Sequence, residues 1–386
     1  MTPRFIYAPG LLPNEPLAVV STMGLAEPVA EIVRWLGGGR YVRAAEITDG
    51  ETPDFITRVV AVDAAAAAIS HPDFVMPVPA GAAMSWWDFA AHAVCVGRKQ
   101  WGIDARNHCR KYFADGVHPL FGNKIEEFIP LFSKHARNIG LVRDALADEE
   151  SRRAYNAIIG LDFECLLEQC LNRMFHVVEY FEGLRFLPDS RVLSLGIHGG
   201  WDVPLLLCCP HESVDLVDPM GADYLTMYAA KFIEAWPRKP NGHRVAVDSY
   251  TGTAYLPVAV DGQAIGFANG EKMEHEERSL PCTNFDDFVS INGEFDIIKM
   301  DTEGAEERIL WGGLASLRKM RPQLAISMYH KPNHYWDLPL WVMRNLPRYR
   351  LYIRCYSFTT VETTLYAIPE EVELADGLAS PQPLLA

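Results

Sequence analysis

The sequence predicts an α/β protein of 386 residues, with a small amino-terminal sheet and a larger carboxyl-terminal one. Three observations predict it. Short apolar runs of strand length alternate with stretches whose apolar positions recur at helical spacing. One run, Phe295 to Met300, ends abruptly in Asp301, Thr302, Glu303 and Gly304 before a helix-forming stretch. That is how a buried strand reads when it surfaces at its carboxyl end, the edge where open α/β sheets bind ligands. The last two runs, 351–356 and 364–368, are joined by a short polar turn and predict a closing hairpin.

Residues 1–103 read as a small Rossmann-like α/β domain. Four prolines before Leu17 predict an extended arm. Strands are expected at Leu17–Thr22, Arg58–Val62 and Phe74–Met76, with helices over Leu25–Leu36 and Trp86–Gly97. The turn Ser21–Glu27 has one glycine, not the three that admit a pyrophosphate, so a scaffolding or recognition domain is preferred over a cofactor site. Residues 104–187 read as a helical connector, with a wet, charged stretch at Asp148–Arg153.

Residues 188–370 form the second α/β domain. Its expected strands are Arg191–Leu195, Val214–Asp218, Val245–Val247, Phe295–Met300 and Leu324–Tyr329, with a further strand from Thr253 to Val260. Helices are expected over Trp201–Cys209, Tyr224–Ala235 and Ala305–Met320, and a mobile surface segment over Gly262–Ser279. The tail, 371–386, carries two prolines and reads as flexible. A mostly parallel sheet whose last strand inserts antiparallel fits S-adenosylmethionine-dependent methyltransferases better than a plain dinucleotide domain.

With 35 basic and 50 acidic side chains, the net charge is −15. Such a body repels phosphate backbones and anionic membranes, so neither nucleic acid nor a membrane is an expected partner. The eight cysteines form no C-x-x-C pair, no signal peptide is expected at the amino terminus, and no apolar run is long enough to span a bilayer. A cytoplasmic protein is expected.

Two constellations carry chemistry. The first is the turn Ser194-Leu195-Gly196-Ile197-His198-Gly199-Gly200, followed by Asp218 at the end of the next strand. Glycines let backbone approach a ligand, and a carboxylate has two oxygens for the two hydroxyls of a ribose. Ser194, Gly196, His198, Gly200 and Asp218 are thus candidate cofactor contacts, with Asp248 beside the adenine. The second joins Asp301 and Glu303 to Tyr329-His330-Lys331-Pro332-Asn333-His334, just beyond the next strand. Asp301, Glu303 and His330 are candidate catalytic residues, because imidazole and carboxylate serve as general bases. Two acids and two histidines also make a divalent metal possible, but no spacing is diagnostic and none is predicted. Glu306, in the first helical turn, has a sufficient explanation in the helix dipole. His334 and Trp336 read equally as sugar-stacking or core groups.

Ile298-Lys299-Met300-Asp301-Thr302-Glu303-Gly304-Ala305-Glu306 resembles the K-x-D-x-E-G-A-E signature of the FkbM family of S-adenosylmethionine-dependent methyltransferases. The resemblance extends over roughly 140–369, through Thr283–Phe288, Pro322–Ser327 and Tyr329–Lys331, and includes a helical lead-in at Leu146–Arg152. The amino-terminal α/β domain resembles the longer branch. One departure stands out: that family's first motif, D-x-G-A-x-x-G, has Ser194 in place of its acid, with Asp202 nearby as a substitute, while Asp218-Pro219 replaces Glu-Pro. The resemblance implies S-adenosylmethionine as cofactor and O-methylation of a hydroxyl on a sugar, glycan or secondary metabolite. The alternative is a non-catalytic binding or scaffold protein on the same fold.

Overall fold

The structure, a computed structural model, describes residues 4–5, 16–22, 26–27, 30, 42–47, 58–62, 66, 70, 72–75, 125–162, 165–166, 169, 179–197, 200, 202–221, 225, 230, 233–234, 238–259, 275–356 and 362–374. In the amino-terminal part, β1 (Arg4–Phe5), β2 (Leu17–Ser21), β3 (Val42–Glu46), β4 (Arg58–Ala61) and β5 (Phe74–Val75) form one sheet in the order β1-β5-β4-β2-β3. Every pairing is parallel. All five positions of β2 are buried, as expected for an inner strand covered on both faces. β1 replaces part of the expected arm. β3 escaped the sequence reading because Val-Arg-Ala-Ala-Glu is an edge strand with little apolar signal. Glu46, at its end, accepts the Ala26 amide at 2.7 Å. An amide beside the first turn, of the kind that would face a phosphate, is thus met by the chain's own carboxylate. The expected helix at 86–97 lies outside the described residues.

Three helices follow: α1 (Ile125–Lys134), α2 (Ala136–Ala145) and α3 (Glu149–Gly160). Asp148 caps α3 by accepting the Ser151 amide at 2.7 Å, and Glu149 and Glu150 complement the dipole in its first turn.

The larger body begins with β6 (Arg191–Leu195), α4 (Val203–Cys208), β7 (Ser213–Val217) and β8 (Asn241–His243). A side unit follows, β9 (Ala246–Asp248), β10 (Gly252–Ala259) and β11 (His275–Asn284), and then α5 (Phe285–Asn292). The rest is β12 (Ile297–Met300), α6 (Glu306–Gly312), α7 (Leu314–Met320), β13 (Gln323–Ser327), α8 (His334–Asn345), β14 (Tyr349–Cys355) and β15 (Thr363–Pro369). The main sheet runs β14-β15-β13-β12-β6-β7-β8. All pairings are parallel except those of β15, which is antiparallel to both neighbours. Chain direction across the sheet therefore reverses between β6 and β12, and that switch point opens a crevice beyond the strand ends.

Strand periodicity sorts the core. Leu193, Leu195, Ile298, Met300 and Ile326 face one layer, while Val192, Ile297, Ala325 and Tyr366 face the other. Ser194 and Lys299 fall by register on the second face, side by side. α2 and α3 pack on this body: Leu146 bridges to Leu351, and the Ala147 amide donates to Leu351 O at 2.8 Å.

Several expectations are corrected. The third parallel strand is the polar Asn241–His243, not Val245–Val247, most of which lies in the side sheet as β9. This edge strand is held by Asp215, which lies 2.7 Å from His243 Nε2 and accepts Asn241 Nδ2 at 3.2 Å. His275–Ser279, expected in a mobile segment, pairs with β10. The helix expected over 305–320 breaks at Gly313, where a β-carbon would stand 2.2 Å from the Phe285 ring. Glu370–Leu374 is not a loose tail. Glu370 N donates to Arg348 O at 3.0 Å, and Val372 and Leu374 pack on the sheet. No helix among the described residues is long and apolar enough to cross a membrane.

Candidate active site

The turns after β6 and β12 touch at the switch point. Gly196 has φ +76°, and a β-carbon there would stand 1.7 Å from the Asp301 carbonyl oxygen. The Asp301 amide donates to Leu195 O at 2.9 Å. Asp218, buried at the end of β7, accepts Ile197 N at 3.0 Å on one oxygen and Met220 N at 2.8 Å on the other. Gly200 also has positive φ, +73°. His198 lies outside the described residues.

Lys299 joins the two turns. It is 3% exposed, donates to Gly196 O at 2.6 Å, and sits 3.1 Å from Asp202 and 4.0 Å from Asp301. Its ammonium also lies over the Tyr180 ring. Burial pulls its pKa down, but Asp202 and Asp301 more than offset this, and the net shift is upward. Lysine is therefore a fixed positive charge under the crevice. Sequence reasoning quoted it only as a motif letter; a lysine inside a buried strand was the signal.

We expect Gly196→Ala to damage this junction severely. Positive φ alone costs an alanine roughly 1–2 kcal/mol, and the overlap with Asp301 must also be relieved. Denaturant unfolding and cofactor titration check this. Wild-type values for both would contradict the geometry.

Beside this junction, Glu306 is fully buried. Its Oε1 accepts the Thr302 amide at 2.8 Å and lies 2.9 Å from His330 Nδ1. The other nitrogen of His330, Nε2, is 3.3 Å from Asp301 and 3.6 Å from Glu303. Burial lowers the pKa of His330, but Glu306 and Asp301 outweigh it and raise the value to about 9. Burial raises the pKa of Glu306, and the two histidines prevail, bringing it to about 2. With its pKa raised to about 9, His330 carries a proton at neutral pH. Tyr329 reaches Asp301 Oδ1 at 3.4 Å. Glu179 and Glu362 face the same carboxylate. Burial, then Asp301, lifts Glu362 to about 7, and burial, then Glu362, raises Glu179 well above the usual carboxylate value. One donor atom from each of Asp301, Glu306 and His330 lies within 4.8 Å of the others.

Other expected residues sit elsewhere. Asp248 accepts Arg308 Nε on both oxygens, at 3.0 and 2.9 Å, and also Ser249 N. Ser194 is buried. Trp336 is 2% exposed and stacks on His135 at 4.6 Å, and His334 is fully buried. Both begin α8, and they present no face for a sugar ring; the core alternative holds.

The fold and crevice define a class, the Rossmann-like methyltransferase sheet. Residues 230–355 match the family model described as the methyltransferase FkbM domain. The matched stretch includes Lys299–Glu306, whose resemblance points to the same family. The crystal structure of methyltransferase FkbM from Methylobacillus flagellatus KT is similar over 92% of this chain and 90% of that one, with 17% identity and a TM-score of 0.47. No curated protein matches significantly.

Proposed function

We propose that this chain is an S-adenosylmethionine-dependent O-methyltransferase acting on a hydroxyl of a small metabolite, sugar or glycan in the cytoplasm. The observation that carries this reading is the contact of the glycine turn with Asp301, clasped by Lys299. It brings a ligand-cradling backbone and an acceptor-side carboxylate to one switch point. The residues fit the cofactor. Gly196 and Gly200 take positive φ, and Asp218 is aimed by two amides at the end of β7, where a carboxylate's two oxygens suit the two hydroxyls of a ribose. Asp202, on Lys299, stands near the turn where Ser194 lacks a charge.

When bound, this cofactor supplies a methyl group already activated on a sulfonium. Gly196 to Gly200 and Asp218 would hold it, and the chain's further task is alignment of the acceptor. A hydroxyl must lose its proton as it is methylated. Asp301, 22% exposed on its side chain and flanked by Tyr329, is placed to receive that proton. His330, protonated beside it, stays out of the base role.

Calorimetry with S-adenosylmethionine tests the reading. Binding is expected, and Asp218→Ala should weaken it by roughly 10-fold or more, the loss of one charge-assisted hydrogen bond or more. Silence at millimolar cofactor would refute the enzyme and leave a binding or scaffold role. Unchanged affinity in Asp218→Ala would refute the ribose assignment alone.

A further inference from the structure

We infer that Asp301, Glu306 and His330 form a site for one divalent transition cation, Zn²⁺ or Mn²⁺, on the acceptor side of the sheet. The three side chains come from the end of β12, the first turn of α6 and the loop after β13, so the fold rather than one loop assembles them. Each offers a donor atom within 4.8 Å of the others. Around an ion with bonds of about 2.0–2.2 Å, donor atoms stand roughly 3.0–3.5 Å apart. The present separations of His330 are 2.9 Å from Glu306 and 3.3 Å from Asp301. They involve the two different ring nitrogens, so binding asks for a rotation of the imidazole or a shift of the Asp301 carboxylate, whose side chain is partly exposed.

A second observation points to the same place independently. His334 is fully buried, and neither of its ring nitrogens has a hydrogen-bond partner among the described residues. Its Nδ1 lies 3.6 Å from Glu306 Oε2, which also lacks a hydrogen-bond partner there. Buried polar atoms are rarely left so. His330 and His334 stand in H-x3-H spacing, a separation common among zinc-binding histidines, so His334 supplies a further nitrogen at the rear of the cluster.

Two carboxylates with imidazole favour transition ions over magnesium, which prefers oxygen alone. The cation would displace one of the two imidazolium protons of His330, which face Glu306 and Asp301, and that proton would leave to solvent. Resting on the methyltransferase reading, its role would be to polarise the acceptor hydroxyl at Asp301.

The test is titration of chelator-stripped full-length protein with MnCl₂ or ZnCl₂ alone, read by calorimetry and, for manganese, by electron paramagnetic resonance. No cofactor or acceptor is present, so the result does not depend on methyl transfer. One equivalent is expected per chain. Asp301→Asn and His330→Gln, each checked for folding by circular dichroism, should weaken binding at least ~10-fold. Failure of the wild type to take up either ion at millimolar concentration overturns the site. So does wild-type affinity in both variants.

Discussion

Asp301→Asn is expected to lower methyl transfer by roughly 100- to 10,000-fold, the range lost when a positioned proton acceptor is removed. Cofactor binding should largely persist. The asparagine keeps the shape of the carboxylate, and the backbone of residue 301 is held by Leu195 O and by the close approach of Gly196, neither of which uses the side chain. What disappears is the charge that faces Tyr329, His330 and Lys299. The loss should therefore appear in kcat, with little change in the affinity for S-adenosylmethionine. Single-turnover rates beside calorimetry separate the two. A variant that keeps more than about one-tenth of the wild-type rate would assign proton removal elsewhere, since one-tenth is already milder than the loss of a general base. Glu303 is the next candidate, because its side chain is 48% exposed on the same rim.

The strands of this site were legible because their sequences are buried on both faces. Val192 to Leu195 and Ile297 to Met300 are apolar runs with one polar exception each, and those exceptions, Ser194 and Lys299, adjoin in register. The glycine turn and Asp301 were legible too, since backbone chemistry dictates glycine and strand-end position dictates the acid. Partnerships across the fold were not. Glu306 read as an answer to the helix dipole. It does accept the Thr302 amide, but it also anchors His330, a contact set by strand order and invisible in local spacing. Edge strands were missed for a related reason. Asn241–His243 is held by Asp215 through polar contacts, so it lacks the apolar signature of an inner strand. α8, with Pro339 inside it, was not read from the sequence, and His334 and Trp336 in its first turn were left equally as sugar-stacking or core groups.

Arg354→Leu should destabilise the protein by about 3–5 kcal/mol, the loss typical when one partner is removed from a buried ion pair. Arg354 is completely buried in β14. It donates to Glu182 at 2.9 Å, to Asp148 at 2.7 Å and to Ser151 Oγ at 2.6 Å, and Glu150 lies at 3.5 Å. A leucine fills part of the space but leaves Glu182, 1% exposed on its side chain, without the cation that neutralises it. Asp148 would lose its cationic partner while still capping α3, so the helix start would separate from the sheet it packs on. The pH dependence follows from Asp148. Burial pushes its pKa up, but Arg354 and Ser151 prevail and hold it below the usual carboxylate value. Its folded pKa being lowered, its contribution is complete above the unfolded value near 4 and fades as pH falls through the folded one. The difference between wild type and Arg354→Leu should therefore be largest near neutrality and narrow below about pH 4, where the freed carboxylates are protonated. Denaturant unfolding at pH 7 and at pH 3.5 measures both ends. Lys319→Ala, which removes only the exposed pair with Glu294, is the control and should leave unfolding unchanged. An Arg354→Leu loss below about 1 kcal/mol, the size of an exposed pair, would show that the network is incidental. A loss of the expected size would show that the buried network is what ties α3 to β14.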